Sequence, residues 1–205
     1  MRDGMVGRPQ QRSRDTRAKI LAAARTAFAE DGFETTSAEA VAQRAGVSKA
    51  TVFAHFGDKT GLLIAAKIDG LDTILADMRA RAEAVGRHTP GKALAGVFLP
   101  LLTLYREDPE FARLFLVQST LKDGPWTRQF LEVCAELEEV ATLACTRAAD
   151  AGALPGHPDP SLAAQGLLAF FYHAIVGHSI GTLADAAAQE SFFTALVERW
   201  ASASA

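Results

Sequence analysis

The 205-residue chain has only two cysteines, Cys134 and Cys145, set eleven positions apart in a helical pattern. A continuous helix would hold them about 16 Å apart by rise alone, beyond the roughly 7 Å that a disulfide spans, so they read as reduced thiols. No apolar run approaches the roughly 20 residues that cross a bilayer, and the start MRDGMVGRPQQRSR has arginines but no apolar signal core. Both lacks point to a cytoplasmic chain with no membrane partner. Sixteen glycines and eight prolines are too few for a fibrous repeat. A sustained period-two run of β-branched residues is missing as well, which argues against strands. Catalytic machinery is equally scarce. No glycine loop suits phosphate. His173 and His178 stand five apart, about 140° around a helix, and miss the i, i+4 metal pair. Glu136, Glu138 and Glu139 read as a solvated charge run. The expectation is no enzyme, no metal and no cofactor.

What the chain does contain is ordinary folded material, 49% hydrophobic and 22% charged, with apolar residues recurring at three and four from about residue 13 onward. The expected fold class is all-α. The net charge of −3 hides an asymmetry: residues 1–60 carry ten Lys and Arg against seven Asp and Glu, and the remainder carries a net −6. A basic end on an acidic chain suggests a surface that faces nucleic acid, although a short basic tail alone also describes a solvated arm. Arg8, Arg12, Arg14, Arg17, Lys19 and Arg25 come early, and Gly7 with Pro9 argues against regular structure before about Arg12.

Ile20, Leu21, Ala24, Ala27 and Phe28 form one stripe on a helix from about Asp15 to Glu30, which Gly32 stops. Thr36-Ser37-Ala38-Glu39 reads as a capping box, with the Thr36 hydroxyl and the Glu39 carboxylate serving a short helix that runs to Ala45. Gly46 allows a tight turn, Ser48 caps again, and Lys49 to His55 makes two more turns. From Asp58 to about Val85 the pattern is one long helix linking two domains, expected at 1–60 and 61–205. Gly86 to Gly91 is a break, and helices follow to Arg106, from Asp108-Pro109, from Trp126 to Asp150, from Ser161 to Leu183 and from Ala187 to Ala201. Lys122 to Pro125 and Gly152 to Pro160 read as loops. About nine helices are expected.

The second and third helices have helix-turn-helix spacing. Ala42 permits a close crossing, Gly46 a positive φ, and Val41, Val47, Val52 and Phe56 bury the inner faces. The outer face keeps Lys49, Ala50, Thr51, Phe53, Ala54 and His55, short or donor-bearing groups suited to a major groove. With Phe33 to Ser37, Ala40 to Ser48 and Thr51 to Leu63 added, the first 65 residues resemble the tetracycline-repressor-like (TetR, AcrR-like) transcriptional regulators. The resemblance implies phosphate contacts at the helix starts from Ser37 and Lys59, with Ser48 at the third helix's cap. It also implies base contacts from Lys49, Ala50 and Thr51, and backbone packing of Phe53 and His55 beside Ala54. Two departures bear on specificity. Phe53 stands where the family usually has Tyr, and Ala54 where it usually has a larger residue.

Beyond residue 65 the resemblance is architectural, and implies a homodimer built on the last two helices together with an inducer pocket. Gly166, Phe170, Ala174, Gly177 and Gly181 on one helix, and Phe192, Phe193, Leu196, Val197 and Trp200 on the next, are the candidate dimer faces, or else the monomer's own core. Polar groups set among apolar ones suggest a pocket between Tyr105, Phe115, Gln118, Trp126, Phe130 and His173 for a hydrophobic or aromatic small molecule. The expected function is a ligand-responsive repressor that binds a palindromic double-stranded DNA operator, with the long linking helix as its lever. The alternative is an all-α small-molecule-binding protein or enzyme with a vestigial DNA-binding domain.

Overall fold

The computed structural model describes residues 7–86, 88–118, 127–157 and 159–203, with the side chains of 7–9, 118 and 127 left aside. Among these residues every regular element is helical, ten in all: α1 (Gly7–Asp31), α2 (Ala38–Ala45), α3 (Lys49–Phe56), α4 (Lys59–Asp69), α5 (Asp72–Glu83), α6 (Pro90–Glu107), α7 (Pro109–Gln118), α8 (Thr127–Asp150), α9 (Pro160–Ser179) and α10 (Ala186–Ala201). They form two compact units, Met1–Gly70 and Leu71–Ala205. The first unit runs past residue 60 because α4 packs on α1 and α3. The expected loop Lys122 to Pro125 lies outside the described residues, as does Trp126.

In the first unit the α1 stripe is inward as its spacing requires, with Ile20, Leu21, Ala24, Ala27 and Phe28 all buried. Val41 and Ala42 of α2, Val52 and Phe56 of α3, and Leu62 and Leu63 of α4 meet it in one core. Val47, expected in that core, is only half-buried, since it lies in the turn and not on a helix face. α1 begins at Gly7, earlier than expected. Pro9 falls in its first turn, where a backbone N–H has no intrahelical partner to lose.

Two further expectations need correction. The helix from Asp58 to Val85 is two helices, because α4 ends at Asp69 and α5 starts at Asp72. The Gly70 N–H bonds back to the Lys67 and Ile68 carbonyls, Asp69 is tied to Arg25 of α1 by an ion pair, and Leu71 is buried. A glycine costs about 1 kcal/mol inside a helix, and here the local bonds resolve that cost as a break. The cap of α2 is Ser37, whose hydroxyl accepts from Ala40 N–H at 3.1 Å. The Thr36 hydroxyl instead donates into the core, with the Gly32 carbonyl at 2.7 Å and the Ala27 carbonyl at 3.2 Å, and so ties the approach to α2 onto α1.

In the second unit α6 packs on α10, α8 on α9, and α5 on α6 and α8. α9 is long and apolar enough to pass for a membrane span by composition. It packs against α6, α7, α8 and α10, as a core helix does. It ends at Ser179, short of the expected Leu183, because the Leu183 N–H and the Thr182 hydroxyl turn back to the Gly177 carbonyl at 3.0 Å each, with Gly181 at φ 80°.

Cys145 is buried on α8, and burial pushes its thiol from 9.0 up to about 12. The folded state therefore holds a proton that the unfolded state has lost between pH 9 and about 12, so stability is complete below pH 9 and falls as pH rises through that window. Unfolding free energies from denaturant titrations across this range should decline by up to about 1.4 kcal/mol per pH unit from this group, and Cys145→Ala should flatten the slope. An unchanged slope in the variant would count against the assignment.

Candidate nucleic-acid interface

α3 is held at both ends by local bonds. Ser48 caps it, its hydroxyl accepting from Thr51 N–H at 3.1 Å and lying 2.8 Å from the Thr51 hydroxyl. Gly46, at φ 68°, makes the preceding turn, and its N–H closes on α2 carbonyls. Gly57 at φ 76° ends the helix, and Asp58 caps α4 by accepting from Gly61 N–H at 2.7 Å. The left-handed φ at positions 46 and 57 is the conformation that glycine adopts without strain.

With the inner face occupied by Val52 and Phe56, successive turns of about 100° decide the rest. Ala50 and Ala54 lie four apart at the centre of the outward face and are exposed, and Thr51 sits beside them, half-buried. Lys49 and Phe53 form the flank toward α2. The Lys49 ammonium is ion-paired with Glu39 of α2 and stands 5.3 Å from the Phe53 ring centroid. That hydrogen-bonded ammonium holds the Glu39 carboxyl below its ordinary value. His55 makes the other flank, its ring 5.9 Å from that of Phe56, which also carries the Arg17 guanidinium over its face at 5.2 Å. Ser37 is exposed at the start of α2, among N–H groups suited to an anion. Lys59 opens α4 and reaches back, donating to the Glu34 carbonyl at 3.1 Å with the Phe33 ring 4.4 Å away.

The Lys49–Glu39 pair is a contact that sequence reasoning missed, because the capping-box reading had already used Glu39. Arg44 likewise meets Glu30 at 2.7 Å across α1 and α2. Along α1, Arg12, Arg14, Arg17 and Lys19 all face outward.

In the second unit Tyr105, Phe115 and Phe130 come together in one aromatic cluster. Tyr105 stacks on Phe111 at 5.1 Å and lies 5.0 Å from Phe115, which is 5.3 Å from Phe130. Burial pushes the Tyr105 hydroxyl well above its ordinary value, with Cys134 adding to the effect. His173 does not join the cluster. It faces outward from α9 with its ring 5.6 Å from Phe192. The Gln118 side chain and Trp126 lie outside the described residues. A cavity of about 310 Å³ opens between α7, α8 and α9, lined by Phe115, Cys134, Leu137, Leu168, Phe171 and Tyr172. A second, of about 390 Å³, has Tyr105 and Leu116 with Arg106, Arg113 and His178 at its wall.

The stripe of small residues on α9 faces the chain's own core. A Cβ on Gly166 would lie 3.5 Å from the Trp200 ring, one on Gly177 would meet Leu183 at 2.9 Å, and Ala174 is buried. On α10, Phe193 and Val197 are buried in the same way. What α9 leaves outward is a different line, with Leu162 70% exposed, Tyr172 39% and Ile180 68%, and with Ala169 and His173 between them. Gly177-His178-Ser179-Ile180-Gly181 has the spelling of a nucleophile elbow, which requires a strand running into a helix. Here Ser179 is the last residue of a helix running into a loop, and His178 Nδ1 is engaged with the Leu183 carbonyl at 3.1 Å. The geometry is not that of an elbow.

Residues 20–66 match the family model described as bacterial regulatory proteins, tetR family. The chain is 35% identical over 121 residues to the HTH-type transcriptional regulator RutR of Escherichia coli (strain K12), covering 58% of this chain and 56% of RutR. It is 32% identical over 81 residues to UidR of the same strain, covering 40% of this chain and 41% of UidR. The chain thus spans about half the length of the curated relatives it matches. Its fold is similar to that of RolR in complex with resorcinol, with TM-score 0.67, 20% identity and coverage of 93% of this chain and 89% of RolR. It is also similar to the transcriptional regulator FadR of Bacillus subtilis in complex with stearoyl-CoA, with TM-score 0.65, 17% identity and coverage of 90% and 97%. Through the residues that build α2, the turn and α3, the chain carries a helix-turn-helix domain that matches the DNA-binding domain of the bacterial regulatory proteins of the tetR family.

Proposed function

We propose that the chain is a ligand-responsive transcriptional repressor that binds a palindromic operator as a homodimer in the cytoplasm and is released by a small hydrophobic or aromatic effector. The observation that carries this reading is the outward face of α3. Ala50 and Ala54 are presented to solvent, with the half-buried Thr51 beside them, on a capped helix within a helix-turn-helix whose inner face is occupied by Val52 and Phe56. Such a helix enters a major groove while the preceding helix crosses the backbone. In this arrangement Ser37, Ser48, His55 and Lys59 lie toward phosphates, and Lys49 and Phe53 line the flank.

One recognition helix of eight residues reads few base pairs, so two copies about one DNA turn apart give the specificity of a palindrome. The outward line of Leu162, Ala169, Tyr172 and Ile180 on α9 is the surface for that pairing. The small-residue stripe is covered within the chain, at Gly166 by Trp200 of α10 and at Gly177 by Leu183. For the effector, the cavity of about 310 Å³ beside Phe115 and Phe130 suits a molecule of modest size with an apolar or aromatic body. RolR holds resorcinol and FadR holds stearoyl-CoA on the same fold, which supports an apolar or aromatic ligand class. Release is a population shift, set by the effector's differential affinity for the DNA-competent and incompetent states.

Selection from a random duplex pool tests the whole reading. The expected product is a palindrome with half-sites about ten base pairs apart that retains two chains per duplex and is released by a metabolite found by screening. Retention of no duplex above non-specific binding, or turnover of a small molecule by the chain, would overturn it. Cys134→Phe should fill the cavity, keeping operator affinity within about twofold while the effector no longer releases the DNA. Normal release by the variant would displace the effector from this cavity.

A further inference from the structure

We infer that α3 selects its half-site chiefly through the 5-methyl groups of thymine, with the Ala50 and Ala54 methyls packed against two of them, and not through hydrogen bonds to guanine. The inference rests on the proposed DNA-binding role of α3 and adds which base chemistry that helix reads.

In the major groove guanine is read by bidentate donors, Arg or Lys, adenine by Asn or Gln, and thymine by apolar contact with its methyl group. The centre of the outward face of α3 carries none of the bidentate groups. Ala50 and Ala54 offer a methyl each and nothing longer. The half-buried Thr51 has its hydroxyl already engaged with that of Ser48 at 2.8 Å. Lys49, the sole long cation on the helix, is ion-paired with Glu39 and lies along the Phe53 ring, on the flank toward α2. To reach a base edge it would have to exchange a charged partner for a neutral acceptor. Phe53 has no hydroxyl to donate, and His55 stands on the opposite flank against Phe56.

Small size has a second effect. With no side chain longer than a methyl at positions 50 and 54, the backbone of α3 can approach the groove floor until Cβ and thymine methyl touch, at about 3.5 to 4 Å. Residues four apart on a helix rise about 6 Å, close to two base-pair steps, so the two alanines address thymines at nearby positions of one half-site.

The test uses the wild-type chain and its selected operator, with each thymine replaced in turn by deoxyuridine, which removes the methyl and nothing else. Affinity at fixed salt should fall roughly fourfold per methyl at two positions in each half-site. Deoxyuridine elsewhere should be neutral. The salt slope should be unchanged, because no phosphate contact is lost. Ala54→Gly should reproduce one of these losses on the thymine operator and add nothing on the deoxyuridine operator, since the two partners form one contact. An operator bound within twofold after complete replacement by deoxyuridine overturns the inference, as does an affinity that instead collapses when guanine N7 is replaced by carbon. A pool that yields no retained duplex overturns the DNA-binding reading along with it, whereas a retained operator indifferent to its methyls overturns this inference alone.

Discussion

Ala54→Glu should lower operator affinity more than about 100-fold while leaving thermal stability within about 0.5 kcal/mol of the parent. Position 54 is exposed at the middle of the outward face of α3, and glutamate is a good helix former, so the folded unit has no reason to respond. The duplex has two. A carboxylate there stands among phosphates of the same sign, where unfavourable charge contacts amount to several kcal/mol. It also holds the helix away from base edges that a methyl could touch. A salt-controlled shift assay paired with a melting curve reads both quantities. Preserved affinity would remove α3 from the groove and with it the proposed mode of binding, and a large loss of stability would make the result uninformative about DNA, which is why both are measured together.

Gly91→Ala is expected to be the most damaging single methyl in the second unit. An added Cβ would lie 2.4 Å from the Cα of Glu198 and 3.1 Å from its Cβ, so it meets the α10 backbone and not the tip of a flexible side chain. α6 and α10 form an extensive packed pair of this unit, and neither can shift without disturbing Leu94, Phe98, Phe193 and Val197, all buried. Overpacking against backbone costs about 3 kcal/mol. In a chain of this length that lowers Tm by about 9 °C. A scanning calorimetry trace with an unshifted transition would mean that the α6–α10 contact is looser than it stands here. The contrast with Gly96, on the same helix with open space around it, supplies the control: alanine there should be neutral or slightly stabilising.

Gly91 also illustrates the limit of reading residues in order. Beside Pro90 it looks like loop punctuation, yet it is a helical, buried residue that lets two helices touch. Glycine signals either a turn or a close approach, and local sequence does not distinguish them. Gly70 gives the converse case. An apolar pattern ran through it unbroken, and the break between α4 and α5 appears only with the Arg25–Asp69 pair and the burial of Leu71 in place. The helix-turn-helix was legible because its determinants are local: a small residue, a glycine four later and a valine six beyond that, each serving a contact within one tight motif. Lys49 shows where even that motif exceeds the sequence. Its identity marks a cation on the helix, and only the tertiary structure shows its ammonium paired with Glu39 across the turn.

The helical class, the basic leading end and the outward face of α3 were all available from spacing and charge, since helical periodicity and capping are recorded in residues a few positions apart. The outward surface of α9 was not. Leu162, Leu167, Phe170, Phe171, Tyr172, Ile175 and Ile180 spread apolar character around the whole helix, so periodicity has no preferred side to report. It took the seating of α10 against Gly166, and of Leu183 against Gly177, to turn one side into core and leave Leu162, Tyr172 and Ile180 facing solvent. Which side of such a helix is covered depends on partners far away in the chain, and those contacts exist only once the helices have packed.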